Sequence, residues 1–257
     1  MMLPWKLKEP DCKSRAEDEG EMNQLVPTNI PPLRRKLYDL FAAAPLIALY
    51  LFSLTQMLSP LALQISLAKL FIQTDPSVLP PVLVLGIVSK ICTLVFFALL
   101  VVMFVVRRVP LHYPIAFFPR LAAGAGTFLG MGIVMLPTEQ LSSGLYLISL
   151  LSIIGGTVFA VWGILALARS ISIMPEARGL VTSGPYAFIR HPLYLGEFFV
   201  LVGIAVQHVM PWALLLLAVQ CVCQFERMKN EERVLARAFP DYADYIARTA
   251  RLLPGVY

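Results

Sequence analysis

Arg190, His191 and Pro192 stand together directly before an apolar run, in the stretch SGPYAFIRHPLYLGE at residues 183–197. Tyr194 and Glu197 follow inside that run, and Arg178 and Tyr186 precede it. A second polar cluster, Glu226, Arg227, Glu231 and Glu232, lies just past the final apolar segment. If Pro192 opens a helix, it takes the first-turn position, where its missing N–H costs nothing. His191 then stands near the N-cap, among free backbone N–H groups that attract a carboxylate or another anion. Tyr194 can cover a flat ring, and Glu231 and Glu232 can hold a cation. Anion capture at one wall and cation capture at the other suit a zwitterionic, amino-acid-like cofactor with an attached aromatic base.

The two clusters meet only if the chain between them folds back. Leu193–Val206 and Trp212–Phe225, split by QHVMP, are each short for a full span and predict a helical hairpin over 193–225. The rest of the sequence says what surrounds that hairpin. The 257 residues are 58% hydrophobic and 14% charged, against about 45–50% and about 25% in soluble domains. Leu40–Leu58, Val82–Val106, Leu121–Leu136 and Tyr146–Ala168 are candidates for crossing a bilayer. The expected fold is an all-α, polytopic membrane helix bundle of five to six apolar segments, the last two forming the hairpin, with a cytosolic cofactor pocket. Its parts are a polar cytoplasmic tail (1–36), four transmembrane helices (37–168) and a cofactor-binding and catalytic region (169–257). The tail lacks the continuous apolar core of a signal peptide, so no cleavage is expected.

Lys and Arg set the expected orientation. Arg34, Arg35 and Lys36, then Arg107, Arg108 and Arg120, then Arg169, Arg178 and Arg190 alternate with loops that hold only Lys69. This bias puts both termini and the active site in the cytoplasm. The net charge of +5 marks cytoplasmic loops and anionic head groups rather than nucleic-acid binding. Residues 61–71, LALQISLAKLF, read as an amphipathic helix lying at the interface, with a marginal span as the alternative. Gly126 and Gly130 form a G-x-x-x-G spacing suited to packing within the chain. Lys90, inside the second segment, must face a cavity or a partner, or snorkel. Cys12, Cys92, Cys221 and Cys223 make no disulfide framework, and no metal site is expected.

GLVTSGPYAFIRHPLYLGEF, the apolar hairpin, and RMKNEERVLARAFPDYADYIARTARLLP together resemble the isoprenylcysteine carboxyl methyltransferase family and related phospholipid methyltransferases, over about the last 90 residues. The earlier spans match only in being apolar. The resemblance implies a cytosolic pocket for S-adenosyl-L-methionine in a membrane helix bundle. It implies that Arg178, Gly179, Leu180, Val181, Tyr186, His191, Pro192, Leu193 and Tyr194 enclose the cofactor. Glu231, with Glu232 beside it, would contact the cofactor, and Arg227, one helical turn earlier, would face the methyl acceptor.

The implied activity is methyl transfer to a lipid-borne acceptor, a carboxylate of isoprenylcysteine type, reached sideways from the bilayer. A carboxylate is ionised at pH 7 and needs no general base. The protein has only to align the reacting atoms and exclude water. An amine acceptor would instead require Glu197 or Tyr194 to take a proton. The chain departs from the eukaryotic enzymes at Arg178-Gly179, where they often carry a polar pair, and Pro175-Glu176-Ala177-Arg178 alters one wall. RHPLYLGE is also similar to a stretch of the steroid and sterol reductases, which makes an NAD(P)H-dependent lipid reductase the second reading. A non-enzymatic membrane scaffold is the third. The E-E-x-x-L stretch at 231–235 favours the methyltransferase.

Overall fold

In the computed structural model the described residues are 31–74, 79–110, 117–172 and 176–255. Most of the polar tail, with Cys12, and Pro175 lie outside them. The helices are α1 (Pro32–Thr74), α2 (Pro81–Val106), α3 (Phe117–Val134), α4 (Ser143–Leu167), α5 (Pro192–Val206), α6 (Trp212–Ala238) and α7 (Tyr242–Arg248). Among the described residues, α1, α2 and α4 are long and apolar enough to cross a membrane, and α3 and α5 contribute shorter apolar helices. The all-helical, multi-span architecture expected from the sequence is therefore present.

The separate surface helix expected at 61–71 is not. Those residues continue α1, which runs unbroken for 43 residues. That is roughly 64 Å at 1.5 Å per residue, about twice the hydrocarbon thickness of a bilayer. Pro45 and Pro60 lie inside α1 at exposed positions. In an apolar helix such a proline removes one backbone bond without ending the helix. Gln64, one of the polar residues whose spacing suggested an interfacial helix, turns toward α2: its Nε2 would lie 3.1 Å from a Cβ on Gly86.

At the other end of this α1–α2 pair, Asp39 is buried between two arginines. Arg107 Nη2 reaches its Oδ1 at 2.8 Å and Arg178 Nη2 at 2.7 Å. Arg178 also grips Glu176 at 2.6 Å and donates to the Arg108 carbonyl. This buried cluster ties the start of α1, the end of α2 and the segment after α4 into one polar end of the bundle. A buried charge is costly unless it is paired and hydrogen-bonded in this way.

Among the described residues α4 and α5 make the most extensive helix contact, and they run antiparallel. Gly156 and Gly163 on α4 face α5, and Gly196 and Gly203 on α5 face α4. A Cβ on Gly156 would lie 2.6 Å from the Gly196 carbonyl oxygen, and one on Gly196 would lie 2.7 Å from the Ala160 nitrogen. Small residues let the two backbones touch. Ser149 and Ser152 then donate across the seam to the Gly203 and Phe199 carbonyls, each at 2.7 Å. Gly126 and Gly130 pack within the chain as expected, Gly126 against Gln224 and Arg227, Gly130 against Leu201.

α5 and α6 make the expected hairpin, but α6 continues past Phe225 to Ala238. One continuous rod thus carries Arg227, Glu231 and Glu232 to the polar end. The seam makes a clear prediction. Gly196→Ala should lower unfolding stability in detergent by about 1–3 kcal/mol through overpacking. Gly144→Ala, with nothing within 4 Å of the new methyl, should be neutral or stabilising, because Ala exceeds Gly in helices by about 0.5–1 kcal/mol. Equal losses in a thermal-unfolding comparison would contradict the seam.

Candidate active site

α5 begins at Pro192 with His191 at the N-cap, as the sequence predicts. The His191 and Tyr194 rings stack, with centroids 5.4 Å apart and 28° between planes. Across the hairpin, Tyr194 Oη donates to Glu231 Oε2 at 2.9 Å, and His191 Nε2 lies 3.1 Å from Glu232 Oε1. The two polar clusters therefore meet.

The chain beyond α7 closes over them. Arg190 N donates to the Ala250 carbonyl at 2.8 Å and His191 N to the Arg251 carbonyl at 3.1 Å. Arg251 Nη2 holds Glu232 Oε2 at 2.6 Å, and Tyr245 Oη donates to the Tyr186 carbonyl at 2.8 Å.

A polar cavity of about 80 Å³ lies between these elements. Of the residues expected to enclose a cofactor, Gly179, Leu180, Val181, Tyr186, His191, Leu193, Tyr194 and Glu231 line it. Arg178, Pro192 and Glu232 differ from the expectation and do not. Arg178 is spent on Asp39 and Glu176, with no exposed side-chain surface. Glu232 has both oxygens occupied by Arg251 and His191. Pro192 is fully buried in the first turn of α5. Sequence reasoning missed Ser170, Ser172, Leu235, Tyr242 and Tyr245 as wall residues. Burial pushes the Tyr186 and Tyr242 hydroxyls above the usual phenol range, and that of Tyr245 up to about 12, so all three present neutral rings.

Next to the polar cavity lies an apolar chamber of about 210 Å³, framed by residues of α1, α2, α3, α4, α5 and α6. Ser172 and Leu193 line both spaces, so they adjoin. The chamber walls are rich in rings, among them Tyr50, Phe96, Phe97, Phe104 and Phe128. Arg227 faces this chamber, whereas Glu231, one turn on, faces the polar cavity. Arg227 is 5% exposed, and its Cζ lies 4.8 Å from the Tyr194 ring centroid. It reaches Thr127 Oγ1 at 3.4 Å, and its Nε is buried without a hydrogen-bond partner. Glu197 and Gln220 also line the chamber. Gln220, Gln224, Arg227 and Glu231 step by four, three and four residues, the spacing of one helical face. Gln220, inside the segment read as apolar and on one face with Arg227, was the available signal for the chamber's polar wall.

The latch at Glu232 has a pH signature. Burial would raise its carboxyl, but the His191 and Arg251 hydrogen bonds outweigh burial and hold it at about 2, below the ordinary 4.5. A carboxylate depressed in the folded state contributes stability above its unfolded pKa and loses it as pH falls through the folded value. Glu232→Gln should therefore be less stable than the native chain at pH 7. The gap should narrow from about pH 4.5 down toward pH 2, as read by unfolding midpoints across that range. A gap that does not change with pH would contradict the latch.

Comparison with known proteins meets this same region. The nickel-cobalt-cadmium resistance protein NccN of Alcaligenes xylosoxydans xylosoxydans is 29% identical over 115 residues, covering 44% of this chain and 52% of that one. The cobalt-zinc-cadmium resistance protein CzcN of Cupriavidus metallidurans is 36% identical over 76 residues, covering 29% of this chain and 35% of that one. The chain thus spans about half or less of the length of these curated relatives. Residues 145–242, which hold α4, α5, α6 and most of the cavity wall, match the phospholipid methyltransferase family.

Proposed function

We propose that the chain is an integral membrane methyltransferase that uses S-adenosyl-L-methionine and methylates a lipid-borne carboxylate of isoprenylcysteine type. The observation that carries this reading is the shared wall: a polar cavity and a ring-lined apolar chamber adjoin at Ser172 and Leu193, with Arg227 facing one and Glu231 the other.

The residues of the polar cavity fit the cofactor's chemistry. Arg190 and His191 line the cavity and suit its carboxylate; Arg190 Nε lies 3.4 Å from Glu232 Oε1 and makes no hydrogen bond. Glu231 suits its ammonium group. Leu180, Val181, Leu235 and the tyrosine rings suit an adenine face. At about 80 Å³ the cavity is smaller than the roughly 300–1,000 Å³ usual for ligand sites, so binding requires the wall to open around the ligand. The bound cofactor supplies a methyl group already activated by its sulfonium charge.

The chain's own residues do the rest. Arg227 can hold a carboxylate through two hydrogen bonds and so fix its direction. The apolar chamber seats the lipid tail and keeps water from the reaction. No residue has to remove a proton from a carboxylate. Arg107, Arg108, Arg169, Arg178 and Arg190 gather at the same end as the site, which supports a cytoplasmic placement for the site and both termini.

Titration calorimetry on the detergent-solubilised full chain tests the reading. S-adenosylhomocysteine should bind, with affinity falling about tenfold or more in Glu231→Ala as a charged hydrogen bond is lost. Arg227→Ala should keep that affinity and lose about 100-fold or more in turnover, the loss typical when a group aligned on the reacting centre is removed. Binding of NADPH alone would move the assignment to a reductase, and binding of neither ligand to a scaffold.

A further inference from the structure

The floor of the apolar chamber holds more polar groups than a carboxylate and a tail require. Glu197 faces the chamber one turn along α5 from Tyr194. Its Oε2 accepts from Gln224 Nε2 at 2.9 Å, and it makes no ion pair among the described residues. Gln220 lines the same space, donates its Nε2 to the Gly126 carbonyl, and leaves its Oε1 buried without a partner. Gln224 Oε1 is likewise buried and unpartnered. Opposite in charge stands Arg227, its Nε also unpartnered.

A carboxylate facing an apolar space without a direct ion pair is costly, and so is a buried amide oxygen without a donor. Glu197, the Gln220 oxygen and the Arg227 guanidinium thus share a chamber, with no ion pair between the two charges among the described residues. A bare fatty acid would satisfy Arg227, leave the Gln220 oxygen without a donor and bring a second negative charge into the chamber with Glu197. A group bearing both charges would satisfy all of them.

We propose that Glu197 selects an acceptor carrying a positively charged nitrogen beside its carboxylate, that is, a zwitterionic amino-acid head on an apolar tail. This rests on the methyltransferase reading and names the head group that the site takes. Arg227 holds the carboxylate; Glu197, itself held by Gln224, holds the ammonium, with Gln220 lining the same space. Keeping that nitrogen protonated also withholds its lone pair, so the methyl group goes to oxygen. A C–O bond forms, the S–CH₃ bond breaks with its electron pair returning to sulfur, and the ammonium keeps its proton.

The test compares three probes with one chain length: 2-aminotetradecanoic acid, its N-acetyl derivative and tetradecanoic acid. Labelled S-adenosylmethionine reports turnover, and base treatment separates labile methyl esters from stable N-methyl products. The free amino acid should exceed the other two by about tenfold or more in kcat/KM, the worth of a charge-assisted hydrogen bond. Glu197→Gln, which can still accept from Gln224, should erase most of that preference while S-adenosylhomocysteine affinity stays unchanged. Equal use of the three probes, or a preference that survives Glu197→Gln, overturns the proposal. Label on nitrogen overturns the protecting role of Glu197 and the carboxylate reading together. If no probe is methylated, calorimetric binding of the same probes decides: a preference for the amino acid that needs Glu197 upholds the selection and sinks the carboxylate reading alone.

Discussion

Backbone contact between α4 and α5 governs the placement of everything at the polar end. With Gly156 against Gly196 and Gly203 against Ser149, neither helix can shift without a steric clash at atoms closer than 3 Å to the missing Cβ positions. That contact determines where α5 begins. Its first turn carries His191 and Tyr194, and α6 returns from the far end as a single rod. A side-chain-filled interface would tolerate a shift of a few tenths of an ångström; a glycine seam tolerates far less. Hydrogen bonds of 2.9 and 3.1 Å across the hairpin depend on that tolerance.

Charge is handled in two ways at this end. Asp39, Arg107, Arg178 and Glu176, and separately Glu232 and Arg251, are sets in which each charge meets its opposite. They hold the elements together. Arg227, Glu197 and Glu231 make no ion pair with an arginine, lysine or carboxylate among the described residues; they face cavities. Buried charge that is not neutralised internally is unfavourable for folding. Its retention beside an apolar chamber is the ground on which a ligand is proposed there.

What could be read from the sequence follows from the range of each interaction. The hairpin, the start of α5 at Pro192 and the meeting of His191 and Tyr194 with Glu231 and Glu232 rest on local helix chemistry and one fold-back, and all were legible. The glycine seam was not, because glycines seven residues apart mean nothing until the facing helix is known. The Asp39 cluster was not, because its arginines lie 68 and 139 positions away. Arg178 and Glu232 looked like ligand-binding charges because sequence shows a charge without its partner. The run of α1 through Pro60 was missed because proline ends helices in water more reliably than in lipid.

The central claim is that the hairpin's polar ends form one cofactor cavity against the loop before α5. Photo-crosslinking with a photoreactive S-adenosylhomocysteine derivative, followed by peptide mapping, tests it most directly. The account predicts label in two stretches far apart in sequence, 179–194 and 231–245, both suppressed by excess S-adenosylmethionine. Competable label confined to α1 or α2, or to one stretch alone, would contradict it.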